Sequence, residues 1–184
     1  VIEGNRIVDI IDAGELEEKY PQAAVDHYPN ATILPGLVNA HSHLTMPGDG
    51  STVEQAMARS DDELLLIAHR NAERALAAGV TTLADLGGRD FLTFRLREAS
   101  ASGAVVTPRL RLAGYPITTK MGHCWPMHYG VEGVDQVRSV ARRLLKRGAD
   151  IIKVMVTGGS TVGSDSFSVA LPFEVLAAAA EEAK

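Results

Sequence analysis

Two histidines separated by one residue, His41-Ser42-His43, are the first pattern in the chain with chemical content. On a β-strand, side chains two apart leave the same face, so both imidazoles project together and can share one metal ion. The plain alternative is a pair of polar residues at a strand end. The second feature is Lys153, inside the apolar run Ile151-Ile-Lys-Val-Met-Val156. A central strand of a parallel sheet is covered on both faces, and burying an unpaired ammonium there costs several kcal/mol. A lysine so placed becomes a nucleophilic amine or pairs with an anion. On an edge strand its stem would instead snorkel outward. The flanking Asp150 and Thr157-Gly-Gly159 favour the central, buried position.

The elements that must position these residues repeat along the chain. Arg6-Ile-Val-Asp-Ile-Ile11 reads as a short strand after the Gly4-Asn5 turn signal, and Asp12 to Asn30 reads as loop. Ala31 to Leu44 supplies strand residues interrupted by Pro35-Gly36. Ser60-Asp-Asp-Glu63 has the spacing of a capping box. The helix it opens repeats Leu64, Ile67, Ala68, Ala72, Ala75 and Leu76 at helical period and stops at Gly79. Strand Val80–Leu86 and Gly87-Gly88 follow. A second helix over Phe91–Ala101 leads to a strand near Leu110–Ala113. A third, with Val137, Val140, Ala141, Leu144 and Leu145 on one face, leads to a strand over Asp150–Val156. Three helix, glycine, strand, loop units in succession predict an α/β fold, either doubly wound or a (β/α)8 TIM barrel. In both, chemistry sits at the carboxyl ends of the strands, which is where the unusual residues lie.

Composition narrows the function classes. The 184 residues carry 18 Lys+Arg against 23 Asp+Glu, for net −5, with 46% hydrophobic residues. So much apolar surface excludes a disordered chain, and no apolar run approaches the roughly 18 residues of a membrane span. Net acidity without a basic block argues against nucleic acid or an anionic membrane as partner. One cysteine, Cys124, cannot form an internal disulfide, which suits a reducing, cytoplasmic setting.

Taken together the motifs are more specific than any one of them. Leu34-Pro-Gly-Leu-Val-Asn-Ala-His-Ser-His-Leu44 resembles the first barrel strand of the metal-dependent amidohydrolase superfamily. Gly79-Val-Thr-Thr-Leu-Ala-Asp-Leu-Gly-Gly88 resembles its second strand, and Arg147 to Gly159 its fourth. The nearest likeness is to the branch of imidazolonepropionase-like enzymes and Xaa-Pro dipeptidases. Met121-Gly-His-Cys-Trp125 is similar to a loop of that branch. The resemblance implies a partial β-rich segment at residues 1–36 and, at 37–184, the first half of a hydrolase barrel, about four strands. It further implies that His41, His43 and a carboxylated Lys153 bind two divalent ions. Zinc is the first choice, with manganese, iron or cobalt as alternatives, and carbon dioxide enters as the lysine carbamate. A hydroxide bridging the ions would cleave an amide, a dipeptide bond or a cyclic amide in a small substrate. His123 would contact substrate or the oxyanion, with Trp125 and Tyr129 as pocket walls. The family's catalytic aspartate and two further histidine ligands have no counterpart here.

The remaining candidates read more plainly. Asp85 is either a hydrogen-bond acceptor behind a ligand histidine or a cap for the next helix, and the cap is favoured. His128 shares the loop of His123, while His69 and His27 read as packing or surface residues. Gly87-Gly88 and Gly158-Gly159 suit close turns better than a phosphate cradle. Two competing readings stand beside the binuclear hydrolase: a mononuclear deaminase, against which Lys153 counts, and a non-catalytic fragment. A TIM barrel takes about 250 residues, so the remainder of the barrel is expected from further sequence or another chain. The 184 residues alone are expected to be inactive, and a homo-oligomer is compatible with this reading.

Overall fold

The computed structural model describes residues 1–128 and 130–184, in two units, Val1–Gly36 and Leu37–Lys184. In the first, β1 (Ile2–Glu3) and β2 (Arg6–Ile7) form an antiparallel hairpin with Ile2 opposite Ile7. The strand expected to reach Ile11 stops at Ile7 because Asp9 draws local polar groups to itself. Its carboxylate accepts from Ile10 N (2.9 Å) and from the Tyr20 hydroxyl (2.9 Å), and its carbonyl accepts from the Val1 ammonium (2.7 Å). The stretch expected to be loop contains a 3-10 turn, Ala13–Glu15, and a one-turn helix α1 (Leu16–Lys19), spanned by a Glu15–Lys19 ion pair.

The second unit is a parallel sheet with helices. Its strands are β3 (Leu37–Ser42), β4 (Val80–Asp85) and β5 (Arg109–Leu112), adjacent in that order. The register sets Ser42 beside Asp85 and Asp85 beside Leu112, so three strand ends lie level. Between β3 and β4 run α2 (Val53–Met57) and α3 (Asp61–Ala77). The Ser60 box closes as its spacing predicts, with Ser60 N donating to Glu63 Oε2 (2.9 Å) and Glu63 N donating to Ser60 Oγ (3.3 Å). Helix α2 was not anticipated, although Thr52-Val-Glu-Gln55 carries the same type of box. Arg89, after β4, donates to the carbonyls of Met57 and Arg59 and pairs with Asp61, tying the β4 loop to both helices.

Helix α4 (Leu92–Ala101) and α3 pack on the sheet, burying Leu44, Ala68, Ala72, Leu83, Phe94 and Leu112 in one cluster. Helices α5 (Gly133–Lys146) and α6 (Phe173–Glu182) bury a second around Tyr115, Ile117, Val137, Leu144 and Val175. No helix among the described residues is long and apolar enough to cross a membrane.

The fourth strand expected over Asp150–Val156 is absent as a continuous element. The segment runs parallel to the chain after β5 but shares one bridge, Ile117 with Val154. Ile117 N donates to Lys153 O (2.8 Å) and Met155 N to Ile117 O (2.8 Å). The reason lies in the partner. Gly114 adopts φ +81 with its carbonyl accepting from Gly88 N (3.0 Å), and Leu112 N donates to the Asp150 side chain (2.9 Å), so the ladder is interrupted between Leu112 and Ile117. Lys153 is consequently half-buried, which corrects the expectation of a strand covered on both faces.

The capping box supplies a stability test. Ser60→Ala removes an acceptor for an α3 N–H and is expected to lower the unfolding free energy by about 1 kcal/mol, read from denaturant melts. An unchanged midpoint would show that the cap contributes nothing to α3.

Candidate functional site

The end of β3 is fixed atom by atom. His43 Nδ1 lies 2.8 Å from the Gly87 carbonyl oxygen. A carbonyl only accepts, so Nδ1 carries the proton and the neutral ring keeps its Nε2 lone pair for ligation. Gly87 has φ +138, and a Cβ there would sit 2.8 Å from Pro116 Cδ, so glycine is what lets its carbonyl reach the ring. His41 stands edge-on to His43, with ring centroids 5.3 Å apart.

Immediately after His43, both backbone groups of Leu44 are held by side chains. Its N–H donates to Asp85 Oδ1 (3.0 Å), and its carbonyl accepts from Asn71 Nδ2 (2.9 Å), which also donates to Met46 O (2.9 Å). Asp85 is fully buried, and its Oδ2 has no hydrogen-bond partner among the described residues. Burial pushes its pKa up, while the Leu44 N–H, the Thr93 hydroxyl and the His43 charge act in the opposite direction. It is not a helix cap: α4 follows Phe91 and has no side-chain cap, so the favoured reading of Asp85 is corrected.

His123 and Lys153 share the electrostatic neighbourhood of this pair. Desolvation, then the charges of Lys153 and His43, lower the pKa of His41; burial, then His43 and Lys153, lower that of His123. Lys153 forms no ion pair among the described residues. His123 Nδ1 lies 2.8 Å from Thr161 Oγ1, and Cys124 N donates to that oxygen (2.9 Å). Cys124 adopts the left-handed conformation (φ +61), and its thiol pKa is raised by burial, which suits packing rather than nucleophilic attack. The His123 ring lies against Gly159, where a Cβ would come within 2.5 Å of it. Trp125, in the 3-10 turn Trp125–Met127, is partly buried, with its Nε1 unpartnered among the described residues. Tyr129 lies outside the described residues.

The structure thus brings His41, His43, His123 and Lys153 into one neighbourhood and leaves the other histidines elsewhere. His128 stacks on Tyr115 (3.5 Å) and pairs with Asp90 (2.9 Å); His69 faces Glu73, and His27 is exposed. Among the described residues no three of His, Cys, Asp or Glu are grouped to hold a metal. The donors present are two imidazoles and one amine. A cleft of about 360 Å³ lined by Thr119, Val131, Leu171 and Val175 shares none of them. Sequence reasoning missed Asn71 and Thr161. Gly158-Gly159 was visible, but its role as a close-packing surface for His123 was not.

Residues 32–184 match the amidohydrolase family, and the chain belongs to it. It is 26% identical over 178 residues to imidazolonepropionase of Ectopseudomonas mendocina, covering 81% of this chain and 42% of that protein. It is 25% identical over 189 residues to ochratoxinase of Aspergillus niger, covering 86% and 38%. Among solved structures, a Xaa-Pro dipeptidase with bound methionine in its active site superposes with TM-score 0.71 at 25% identity, over 80% of this chain and 40% of that one. The chain therefore spans about two fifths of the length of these relatives.

The Leu44 clamp predicts a graded response. Asp85→Ala leaves the Leu44 N–H buried without an acceptor and is expected to cost about 1 to 3 kcal/mol. Asp85→Asn retains an oxygen at the same place and should lose less. Denaturant unfolding of both variants checks this, and equal losses would show that the hydrogen bond is not the origin.

Proposed function

We propose that these residues form the metal-binding first part of a (β/α)8 hydrolase that cleaves a carbon–nitrogen bond. Sheet β3-β4-β5 and the segment through Lys153 supply successive barrel positions, and residues 1–36 supply part of a small β-rich domain. The observation that carries the reading is the pair of imidazoles at one strand end. The Nδ1 proton of His43 is committed to Gly87, its Nε2 has no hydrogen-bond partner among the described residues, and Lys153 is within electrostatic reach.

The donor set fits a divalent ion on one condition. A Lys153 ammonium would repel a cation, whereas its carbamate, made by adding carbon dioxide to the neutral amine, is an anionic ligand able to bridge two ions. His41, His43 and this carbamate would hold the pair, zinc being favoured by nitrogen and oxygen donors. Bound metal would supply Lewis acidity and an activated water. The protein's own contribution is to orient the imidazoles, through Gly87 and the clamped Leu44, and to place His123 beside them as a hydrogen-bonding group for the substrate carbonyl. Trp125 and Tyr129 are proposed as pocket walls.

The substrate class proposed is a small amide, with a dipeptide carrying proline at its carboxyl side foremost. The dipeptidase likeness supports this, and the imidazolonepropionase likeness supports a cyclic amide. The activity is that of the assembled enzyme to which these 184 residues contribute.

Metal analysis tests the reading directly. Zinc affinity is expected to fall about a hundredfold or more in His41→Ala and His43→Ala, given that losing even an outer partner costs about 10- to 100-fold. In the assembled enzyme, Lys153→Ala is expected to lose both the second ion and Xaa-Pro hydrolysis. One tightly held ion, with hydrolysis surviving Lys153→Ala, would overturn the binuclear proposal in favour of mononuclear chemistry.

A further inference from the structure

Thr161 is almost fully buried, at 3% exposure, in the loop closed at its base by the Thr157–Val169 bridge. Its hydroxyl oxygen already accepts one hydrogen bond, from Cys124 N at 2.9 Å. The other polar atoms near it are His123 Nδ1, at 2.8 Å, and the Cys124 thiol. Two arrangements satisfy these contacts. Either His123 donates from Nδ1 and the threonine proton is left to the thiol, or the threonine donates and Nδ1 accepts. Sulfur is a weak acceptor and an imidazole nitrogen a strong one, which favours the second arrangement.

The consequence falls on the far side of the ring. With Nδ1 accepting, the neutral imidazole carries its proton on Nε2. Nε2 lies 3.5 Å from Cys124 Sγ, and sulfur is a weak acceptor, so this N–H is weakly engaged and open to a stronger one. The ring cannot slide away, because Gly159 packs against it. His43 presents the opposite tautomer, fixed by the Gly87 carbonyl.

We infer that Thr161 is a positioning residue that fixes His123 as an Nε2–H hydrogen-bond donor, so that the two neighbouring histidines hold opposite tautomers for opposite tasks. His43 offers a lone pair; His123 offers a proton it keeps. No bond is made or broken at His123: it stabilises charge on a substrate oxygen and does not act as the base. The task at substrate rests on the hydrolase reading, whereas the tautomer does not.

Long-range proton–nitrogen correlation spectra of the chain labelled with nitrogen-15 histidine read the tautomer directly, with His123 assigned by His123→Gln. The expected result is the Nε2–H form in the wild type and in Thr161→Ser, with a shift toward Nδ1–H in Thr161→Val. An Nδ1–H form in the wild type, or an unchanged Nε2–H population in a folded Thr161→Val, would overturn the assignment. The wild-type spectrum decides even if the valine variant does not fold. In the assembled enzyme, Thr161→Val should lower kcat about tenfold or more with KM little changed, since loss of an oxyanion donor outright costs about 100- to 1,000-fold. Absence of hydrolysis alongside the expected tautomer would sink the hydrolase reading and support the tautomer assignment.

Discussion

The hydrogen bond from Leu44 N to the buried carboxylate of Asp85 joins the ends of two parallel strands at the point where regular pairing stops. A carboxyl with no exposed surface is costly to bury, and its place in the sheet end is maintained by the backbone donor it captures. Asn71 takes the opposite side of the same peptide. Between them the backbone after His43 loses its freedom to fray, and Leu86 N bonded to Ser42 O (2.8 Å) sets the neighbouring loop beside it. From that fixed pair of chain ends follow the position of the Gly87 carbonyl, the tautomer of His43 and the approach of the two imidazoles.

The other side of the site is built differently. The left-handed Gly114 interrupts the ladder beyond β5, and the segment carrying Lys153 is held by the Ile117–Val154 bridge and by Asp150. The Asp150 carboxylate receives Leu112 N, Arg97 and Arg111, and its own N–H donates to Leu112 O (2.8 Å), which anchors the start of the segment. Lys153 thus reaches the histidines from a less regular stretch than they occupy. Its half-burial leaves the amine next to imidazoles whose pKa values its charge depresses.

Most of the scaffold was legible in the sequence because it rests on local signals. The Ser60 box, the helical period through Leu64, Ile67, Ala68 and Ala72, and the His41-Ser42-His43 spacing are each decided by residues a few positions apart. The misreadings of Asp85 and of the fourth strand involve partners far away in sequence. Asp85 reads as a cap beside the next helix, yet its hydrogen bond goes to Leu44, and Ile151–Val156 reads as a central strand until the left-handed Gly114 breaks the strand it would pair with. Thr161 carries no signal at all, since a lone threonine in a polar loop gives no hint that a histidine 38 residues earlier will bond to it. Helix α2 was a different failure, because its Thr52 and Gln55 box is local and readable.

The two means of holding a histidine have different consequences. His41 and His43 stand at a strand end whose geometry is shared among a sheet register, two side-chain clamps and a glycine, so no single loop residue decides it. His123 depends on one hydroxyl, one close-packed glycine and a left-handed residue beside it, all in loops. Rigid elements suit groups whose spacing must stay within a few tenths of an ångström, as ligands require, while loops tolerate change around a group whose substrate partner varies. Variation in substrate among proteins of this architecture is therefore expected to concentrate around His123, Thr161 and Gly159, with the β3 end constant. The physical basis is that altering the loops moves one donor, whereas altering the Asp85 clamp loosens the strand end itself.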